Sequence, residues 1–302
     1  MIKYWNGIFV AVMLIALSTN VVVCQSPRKY RYDSALVGDR ITPAVSAIMM
    51  PRTYTEVILN NSLLTTNAYF GSNRDQLDLD HRSTYLINTL QVTHGVSASG
   101  RFNVGLDLSY RTGREDADRD SSPLKVFGND SEGLRYYARG LTSFGVRARY
   151  AVTRNRNFVI QQAVYIPFDA SSQDKQFLGD NRYASNTQFL YTQLLGRKVF
   201  LFGQADILVR FKSESYSSDY TVPLNLFTSY LLTSRIFPFV QLGMLNSWDH
   251  EFDHSIQSFT YGAGLQYQFT TMFTVNVFYN NVFAGQVANK WTGVNLGIRG
   301  VF

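Results

Sequence analysis

Three features of the sequence predict an all-β protein that forms a closed antiparallel transmembrane β-barrel of about 12 strands. Apolar and polar residues alternate with a period of two, as in the run from Ser258 to Phe269. Many of these runs reach about ten residues, which is the length a tilted strand needs to cross a bilayer, against about five or six in an ordinary sheet. The links between the runs alternate between long and short. This alternation predicts outer loops and tight periplasmic turns.

The composition excludes several other classes of protein. The chain has 302 residues, is 45% apolar and 15% aromatic, and contains one Cys, so neither a disordered chain nor a disulfide scaffold is expected. The net charge is +6, but the Arg and Lys residues are scattered through strands and turns. We therefore predict no nucleic-acid partner.

Residues 1–24 have the form of a secretory signal, with Lys3 before the apolar segment from Ile8 to Leu17. Cleavage is predicted after Cys24. In the rival interpretation, a lipoprotein signal keeps Cys24 as a lipidated first residue, although Val21–Val23 lacks the usual pattern of such a signal. Beyond the signal no stretch approaches about 18 uninterrupted apolar residues, so a barrel is the remaining structure that can satisfy its backbone in lipid.

Residues 25–53 do not resemble a strand, because they carry mixed charges and the prolines Pro43 and Pro51. Two interpretations are open. The segment is a periplasmic lead-in, or Ile41 to Met50 folds back into the barrel as a plug. A plug would turn an open conduit into a gated or closed pore.

Residues 54–302 form the predicted barrel. The alternating segments are 54–66, 83–95, 102–111, 140–152, 158–167, 186–195, 199–211, 221–232, 237–247, 258–269, 272–284 and 292–302. The links after the odd-numbered segments are the longer set, for example 67–82 and 112–139. The pair Gln161 and Gln162 places a polar group on each face of the fifth segment, which predicts a bulge or an end effect there.

The alternation assigns charged residues of both signs to the lumen. They are Glu56, Asp107, Arg111, Arg147, Arg149, Asp206, Arg210 and Arg299. Either these charges pair across strands and fill the interior, or they line a narrow polar channel whose Arg excess favours anionic or aromatic solutes. Glu56 begins the first strand and Arg299 nearly ends the last, so we predict that they are neighbours at the periplasmic rim.

Catalytic and metal chemistry are not predicted. A serine-type hydrolase needs a Ser and a His aligned on the outer face, and the four histidines show no such arrangement. The run from Asp249 to His254 has metal-capable side chains, but solvated loop charge explains it more simply. The same holds for the acidic loops at 75–80 and 115–120, which in the alternative bind divalent cations shared with lipopolysaccharide. No cofactor is expected.

Several short stretches resemble the outer-membrane transporter barrels of the meta-pathway phenol-degradation type. They are the opening from Pro51 to Glu56, the strand pair around His94–Val96 and Phe102–Asp107, the dipeptide Tyr110–Arg111 and the closing run from Asn295 to Arg299. The terminal Phe302 is similar to the sorting signal that the barrel-assembly machinery reads in this class. The resemblance implies an outer-membrane location and passage of small, hydrophobic solutes, and it brings no catalytic residues.

The sequence thus predicts an outer-membrane barrel that passes a small solute passively, with lipids and lipopolysaccharide around it. The alternative is a non-conducting structural or adhesive barrel that works through its outer loops.

Overall fold

The computed structural model describes residues 48–128, 131–168, 174, 178, 182–213 and 217–302. These residues form an antiparallel sheet, with the 3₁₀ helix Pro123–Phe127 between its third and fourth strands. The strands are β1 Thr55–Phe70, β2 Gln76–Gly95, β3 Phe102–Asp116, β4 Leu134–Ala151, β5 Phe158–Pro167, β6 Ala184–Leu195, β7 Val199–Arg210, β8 Asp219–Tyr230, β9 Ile236–Trp248, β10 His254–Gln268, β11 Phe273–Gln286, β12 Ala288–Asn289 and β13 Thr292–Val301.

The sheet closes on itself through β1 and β13. β1 pairs with β2 along one side, and along the other side it pairs with β13 from Glu56 opposite Val301 to Thr65 opposite Thr292. β12 has two residues and only extends this seam. The part of the chain that the structure describes therefore forms a closed barrel of 12 long strands, which confirms the predicted fold.

The apolar faces of the strands point away from the lumen. Leu106 and Val146 are 49% and 51% exposed, whereas Asp107 and Arg147, one position further along the same strands, are each 2% exposed. A water-soluble sandwich would show the reverse, with the apolar rows buried between two sheets. Apolar residues outside and polar residues inside are the arrangement expected of a barrel in lipid. The described residues contain no helix that is both long enough and apolar enough to span a membrane.

The two ends of the barrel differ. The turns 96–101, 152–157, 196–198, 231–235 and 269–272 share one end with Phe302, and we call it the turn end. The opposite end, which carries the described residues of the links 71–75, 117–133, 168–183, 211–218, 249–253 and 287–291, is the loop end. At the turn end, the backbone amides of Thr55 and Phe302 each donate to the carbonyl of the other at 2.9 Å.

The predicted alternation of link lengths is only partly right. The strands β1 to β4 continue beyond the predicted segments at the loop end, so the predicted link 67–82 shrinks to the turn 71–75. The links 249–253 and 287–291 are also short, whereas 117–133 and 168–183 are long. Backbone pairing does not require apolar side chains, and polar positions such as Ser83 opposite Glu115 extend the ladder above the apolar band.

The prediction of a bulge or an end effect at Gln161 and Gln162 is wrong, because both residues lie within β5. β5 pairs with β4 and β6 without a register shift. Gln161 points into the lumen, and Gln162 points outward. The outward amide is satisfied locally, because Thr187 Oγ1 donates to Gln162 Oε1 at 2.6 Å and Gln162 Nε2 donates to Ser185 Oγ at 2.8 Å. These hydrogen bonds let a polar residue stay on the outward face of a regular strand.

Candidate functional site

The candidate site is the lumen, and one of its walls is a continuous polar row across β3 to β7. Asn103, Arg149, Gln161, Gln188 and Asp206 are paired in sequence across these five strands. Arg149 Nε donates to Gln161, Gln161 donates to Gln188, and Gln188 Nε2 donates to Asp206 Oδ2 at 2.7 Å. Gln204 Nε2 also donates to Asp206 at 2.9 Å. From Arg149 to Asp206 the row is a hydrogen-bonded chain that the strand register fixes in place.

Ion pairs extend the polar row around the wall. Arg299 Nε lies 2.6 Å from Glu56 Oε1, so the two predicted neighbours are in contact. Arg149 lies 3.6 Å from the other carboxylate oxygen of Glu56. Arg147 Nη2 lies 3.0 Å from Asp107 Oδ1 and donates to Thr93 Oγ1 at 2.9 Å. The arginines at this level therefore pair with acids in the wall, as the first of the two predicted arrangements requires.

Glycine makes room for a large side chain in this wall. Gly145 is directly opposite Tyr165, and a Cβ at Gly145 would lie 2.7 Å from the tyrosine ring. The ring therefore lies against the backbone, and its hydroxyl reaches Asp107 Oδ2 at 3.4 Å. Tyr165 is a lumen residue that the sequence reasoning did not single out, although its position opposite an inward glycine was a usable signal.

The other wall, formed by β7 to β11, is aromatic at the level nearest the turn end. The rings of Phe202 and Phe227 are 5.8 Å apart, and those of Phe239 and Phe278 are stacked at 5.4 Å. Gly264 lies between Phe239 and Phe278 in the register, and a Cβ there would collide with Phe239. This cluster is not among the predicted lumen residues, because those were selected only for their charge.

Met49 and Met50 lie inside the lumen at the turn end. Met49 is buried in the same cluster as Phe202, Phe227 and Phe239. Both backbone polar atoms of Met50 are hydrogen-bonded to one side chain. The amide of Met50 donates to Asn103 Oδ1 at 2.9 Å, and Asn103 Nδ2 donates to the carbonyl of Met50 at 2.8 Å. Residues 41–47, the rest of the predicted plug, lie outside the described residues.

Two predicted lumen residues lie apart from this network, nearer the loop end. Arg111 lies 5.8 Å from the ring of Tyr85. Arg210 pairs with Asp219 at 3.1 Å and donates to Thr221 Oγ1 at 3.2 Å. Asp219 also pairs with Arg182 at 2.7 Å. The structure therefore divides the predicted residues into a central network, which contains Glu56, Asp107, Arg147, Arg149, Asp206 and Arg299, and two separate contacts.

Polar side chains of the link 249–253 and of β2 form contacts within the protein. Asp249 Oδ1 accepts from the backbone amides of Glu251 and Asp253, both at 2.9 Å. His81 Nδ1 lies 2.7 Å from Asp80, and His94 Nδ1 lies 3.0 Å from the hydroxyl of Thr55. Across the described residues, no three His, Cys, Asp or Glu side chains are grouped in a way that could hold a metal ion.

Comparison with solved structures supports the same architecture. An outer membrane channel from Pseudomonas putida F1 superposes with a TM-score of 0.65 at 17% identity, over 87% of this chain and all of that chain. The chain has the fold of an outer-membrane β-barrel. The β domain of the Bordetella autotransporter BrkA is also similar, with a TM-score of 0.53 at 16% identity over 82% of this chain and 99% of that one. No protein-family model and no curated protein sequence matches the chain. At these identities the similarity shows the fold, as the resemblance in the sequence predicted.

Proposed function

We propose that the barrel is a passive conduit for a small solute across the outer membrane. The main observation behind the proposal is the lumen. In this closed barrel, one wall of the lumen is polar and the other is aromatic. One of the two similar structures is named an outer membrane channel, and this name supports the same proposal. No reaction is proposed for this chain.

The two walls define the class of solute. Arg149 and Arg299, whose side chains are 10% and 12% exposed, offer guanidinium groups that pair with carboxylates, and the partly buried Phe278 offers a ring face for apolar or aromatic groups. A solute that touches both walls would be a small anionic, aromatic or hydrophobic molecule. The arginines are already paired with acids in the wall, so they act as hydrogen-bond donors to a passing solute and do not need to release their partners.

Met49 and Met50 give the conduit a closed state. Their burial against the aromatic wall, and the two hydrogen bonds between Met50 and Asn103, support the interpretation that the segment before β1 is a plug. In this proposal residues 25–53 enter from the periplasm, and the plug must move before a solute can pass.

The test is single-channel recording in planar bilayers. Asn103→Ala removes both side-chain hydrogen bonds to Met50, so we expect a several-fold increase in open time or conductance over the unmodified protein. Asn155→Ala, in the turn 152–157 outside the lumen, is the control and should leave the recording unchanged. The Arg-rich lumen should also give an anion-selective reversal potential in a salt gradient.

The alternative is a non-conducting structural or adhesive barrel that acts through its outer loops. The pairing of the buried charges in the central network favours it, because paired charges fill space and stabilise a closed interior. An absence of channel events in both the unmodified protein and Asn103→Ala, across a range of voltages and salts, would refute the conduit and favour this alternative.

The location is part of the proposal. We propose that residues 1–24 direct export, that lipids and lipopolysaccharide surround the barrel, and that Phe302 is read by the barrel-assembly machinery. The side chain of Phe302 is 75% exposed at the turn end, where another protein can reach it.

A further inference from the structure

The turns at the turn end carry charges of one sign. The five turns 96–101, 152–157, 196–198, 231–235 and 269–272, all of them described, contain no Asp or Glu. Every charged residue in them is basic: Arg101, Arg154, Arg156, Arg197, Lys198 and Arg235. We call these six residues the basic ring. Such a ring creates a positive potential at one rim of the barrel.

The loop end has the opposite character. Acidic residues lie in or beside its links, among them Asp75, Asp118, Asp249, Glu251 and Asp253. Cations there also have acidic partners, since Arg119 lies 2.9 Å from Asp78 and Arg135 lies 2.9 Å from Asp80. In contrast, Arg101, Lys198 and Arg235 form no ion pair within the described part of the chain. The excess positive charge of the barrel is therefore concentrated at the turn end.

Two members of the basic ring are held on the outside of the wall. The guanidinium of Arg101 lies 5.3 Å from the ring centre of Tyr150, and Lys198 Nζ lies 5.8 Å from that of Tyr230. Both tyrosines are exposed on the outward face. Arg101 is fixed further, because its guanidinium donates to the carbonyls of Ala151 and Val152 at 2.8 and 2.7 Å. These cations lie where the apolar band of the barrel ends, and they flank its outer surface instead of its lumen.

We propose that the basic ring binds the phosphate groups of anionic phospholipids in the leaflet at the turn end. Outward tyrosines lie at the depth of lipid head groups in membrane proteins, and basic side chains at that depth attract anionic lipids. Guanidinium groups suit phosphate because they can donate two parallel hydrogen bonds. A soluble anion in the periplasm would not require the cations to lie over outward rings. The proposal depends on the barrel lying in a membrane and not on its conducting a solute.

The test measures which lipid stays bound to the full-length barrel. The protein is reconstituted in equal amounts of phosphatidylglycerol and phosphatidylcholine, and the retained lipids are counted by native mass spectrometry. We expect a several-fold preference for phosphatidylglycerol that falls as the salt concentration rises. The triple variant Arg197→Gln, Lys198→Gln, Arg235→Gln removes half of the basic ring and should at least halve the preference, since all three side chains are exposed and the barrel should still fold.

The matched control removes three cations from the loop-end half of the barrel, as Arg74→Gln, Lys212→Gln and Lys290→Gln. This variant has the same net charge as the turn-end variant and should keep the preference for phosphatidylglycerol. Equal losses in the two variants would show that only net charge matters and would overturn the proposal. So would the absence of any preference in the unmodified protein. If the turn-end triple variant fails to fold, the single variant Lys198→Gln is measured. An unchanged preference for phosphatidylglycerol in Lys198→Gln also counts against the proposal. Conductance is not part of the readout, so failure of the conduit would leave this result intact.

Discussion

At the residue scale, the central network depends on glycines placed opposite charged side chains. Arg147 is paired with Gly105 across β3 and β4, and Asp107 is paired with Gly145. With no side chain on the opposite residue, each charged group can lie along the wall and meet the other diagonally at 3.0 Å. Both side chains are almost fully buried, so neither can be solvated if its partner is lost.

The first prediction concerns this pair. Arg147→Gln leaves the Asp107 carboxylate buried without its cation, and we expect the free energy of unfolding to fall by about 3–5 kcal/mol. Adding Asp107→Asn should recover part of the loss, because the double variant no longer buries a single charge. The measurement is urea unfolding in lipid vesicles, followed by circular dichroism.

The control for the pair is Arg154→Gln, which alters an exposed arginine in a turn and should change the free energy of unfolding by less than about 0.5 kcal/mol. If Arg147→Gln were no more destabilising than this control, the buried pair would not be a significant source of stability.

At the scale of elements, the extensions of β1 to β4 at the loop end are covered by the link 117–128. The carbonyl of Arg119 accepts from Asn67 Nδ2 at 3.2 Å and from Arg82 Nε at 3.0 Å. The 3₁₀ helix in this link begins after Ser122, whose hydroxyl accepts from Leu124 N, and it buries Val126. Beneath the link, Arg114 and Asp116 form an ion pair at 2.8 Å. The link shields polar residues that would otherwise face outward above the apolar band.

The second prediction concerns the pH dependence of two ion pairs in this region. A hydrogen bond from Arg119 lowers the pKa of Asp78, and a hydrogen bond from Arg135 lowers the pKa of Asp80. A lowered pKa in the folded state means that the pairs contribute fully above the ordinary carboxyl pKa, near 4. Their contribution is lost as the pH falls through the lowered value. The contacts should therefore persist well below neutral pH.

The measurement is an NMR titration of the Asp carboxyl carbons. Arg119→Gln should return the pKa of Asp78 toward the ordinary value and leave that of Asp80 low. Arg135→Gln should do the converse, so each variant is the control for the other. If the pKa of Asp78 stayed low in Arg119→Gln, the contact with Arg119 would not be the cause.

At the scale of the whole molecule, the pairing of β1 with β13 closes the barrel. The closing seam joins residues near the start of the barrel to its last residues, as in the pairing of Ile58 with Arg299. Such a long-range contact costs chain entropy, so closure is expected late in folding. Phe302 lies at this seam through its backbone hydrogen bonds with Thr55, while its ring remains exposed.

The third prediction separates the assembly of the barrel from its stability. Phe302→Ala removes an exposed ring and leaves both backbone hydrogen bonds, so the unfolding midpoint in urea should change little. Insertion by the purified barrel-assembly machinery should slow several-fold if the ring is the sorting signal. Phe273→Ala, at another outward aromatic residue of the turn end, is the control and should insert at the normal rate. Equal insertion rates for Phe302→Ala and the unmodified protein would remove Phe302 as a signal.

Part of the candidate site could be predicted from the sequence. The strict alternation assigned Glu56, Asp107, Arg147 and Arg299 to the lumen, and the connection of first to last strand placed Glu56 beside Arg299. The alternation did not show that Phe202, Phe227, Phe239 and Phe278 meet, because a period of two fixes the face of each residue but not which residues of other strands lie at the same level. Nor did it reveal that Arg147 pairs with Asp107, since a diagonal contact depends on how the strands are staggered.

The sequence by itself determined that this chain closes in lipid, because a period of two fixes the side of the wall for each residue and backbone groups in lipid must all be paired. Only the tertiary structure decided what fills the interior. The stagger of the strands places side chains from distant segments at one level of the lumen, and that level is where Met49 meets the aromatic wall and Asn103 holds Met50. These contacts join residues far apart in the chain, and no local pattern records them.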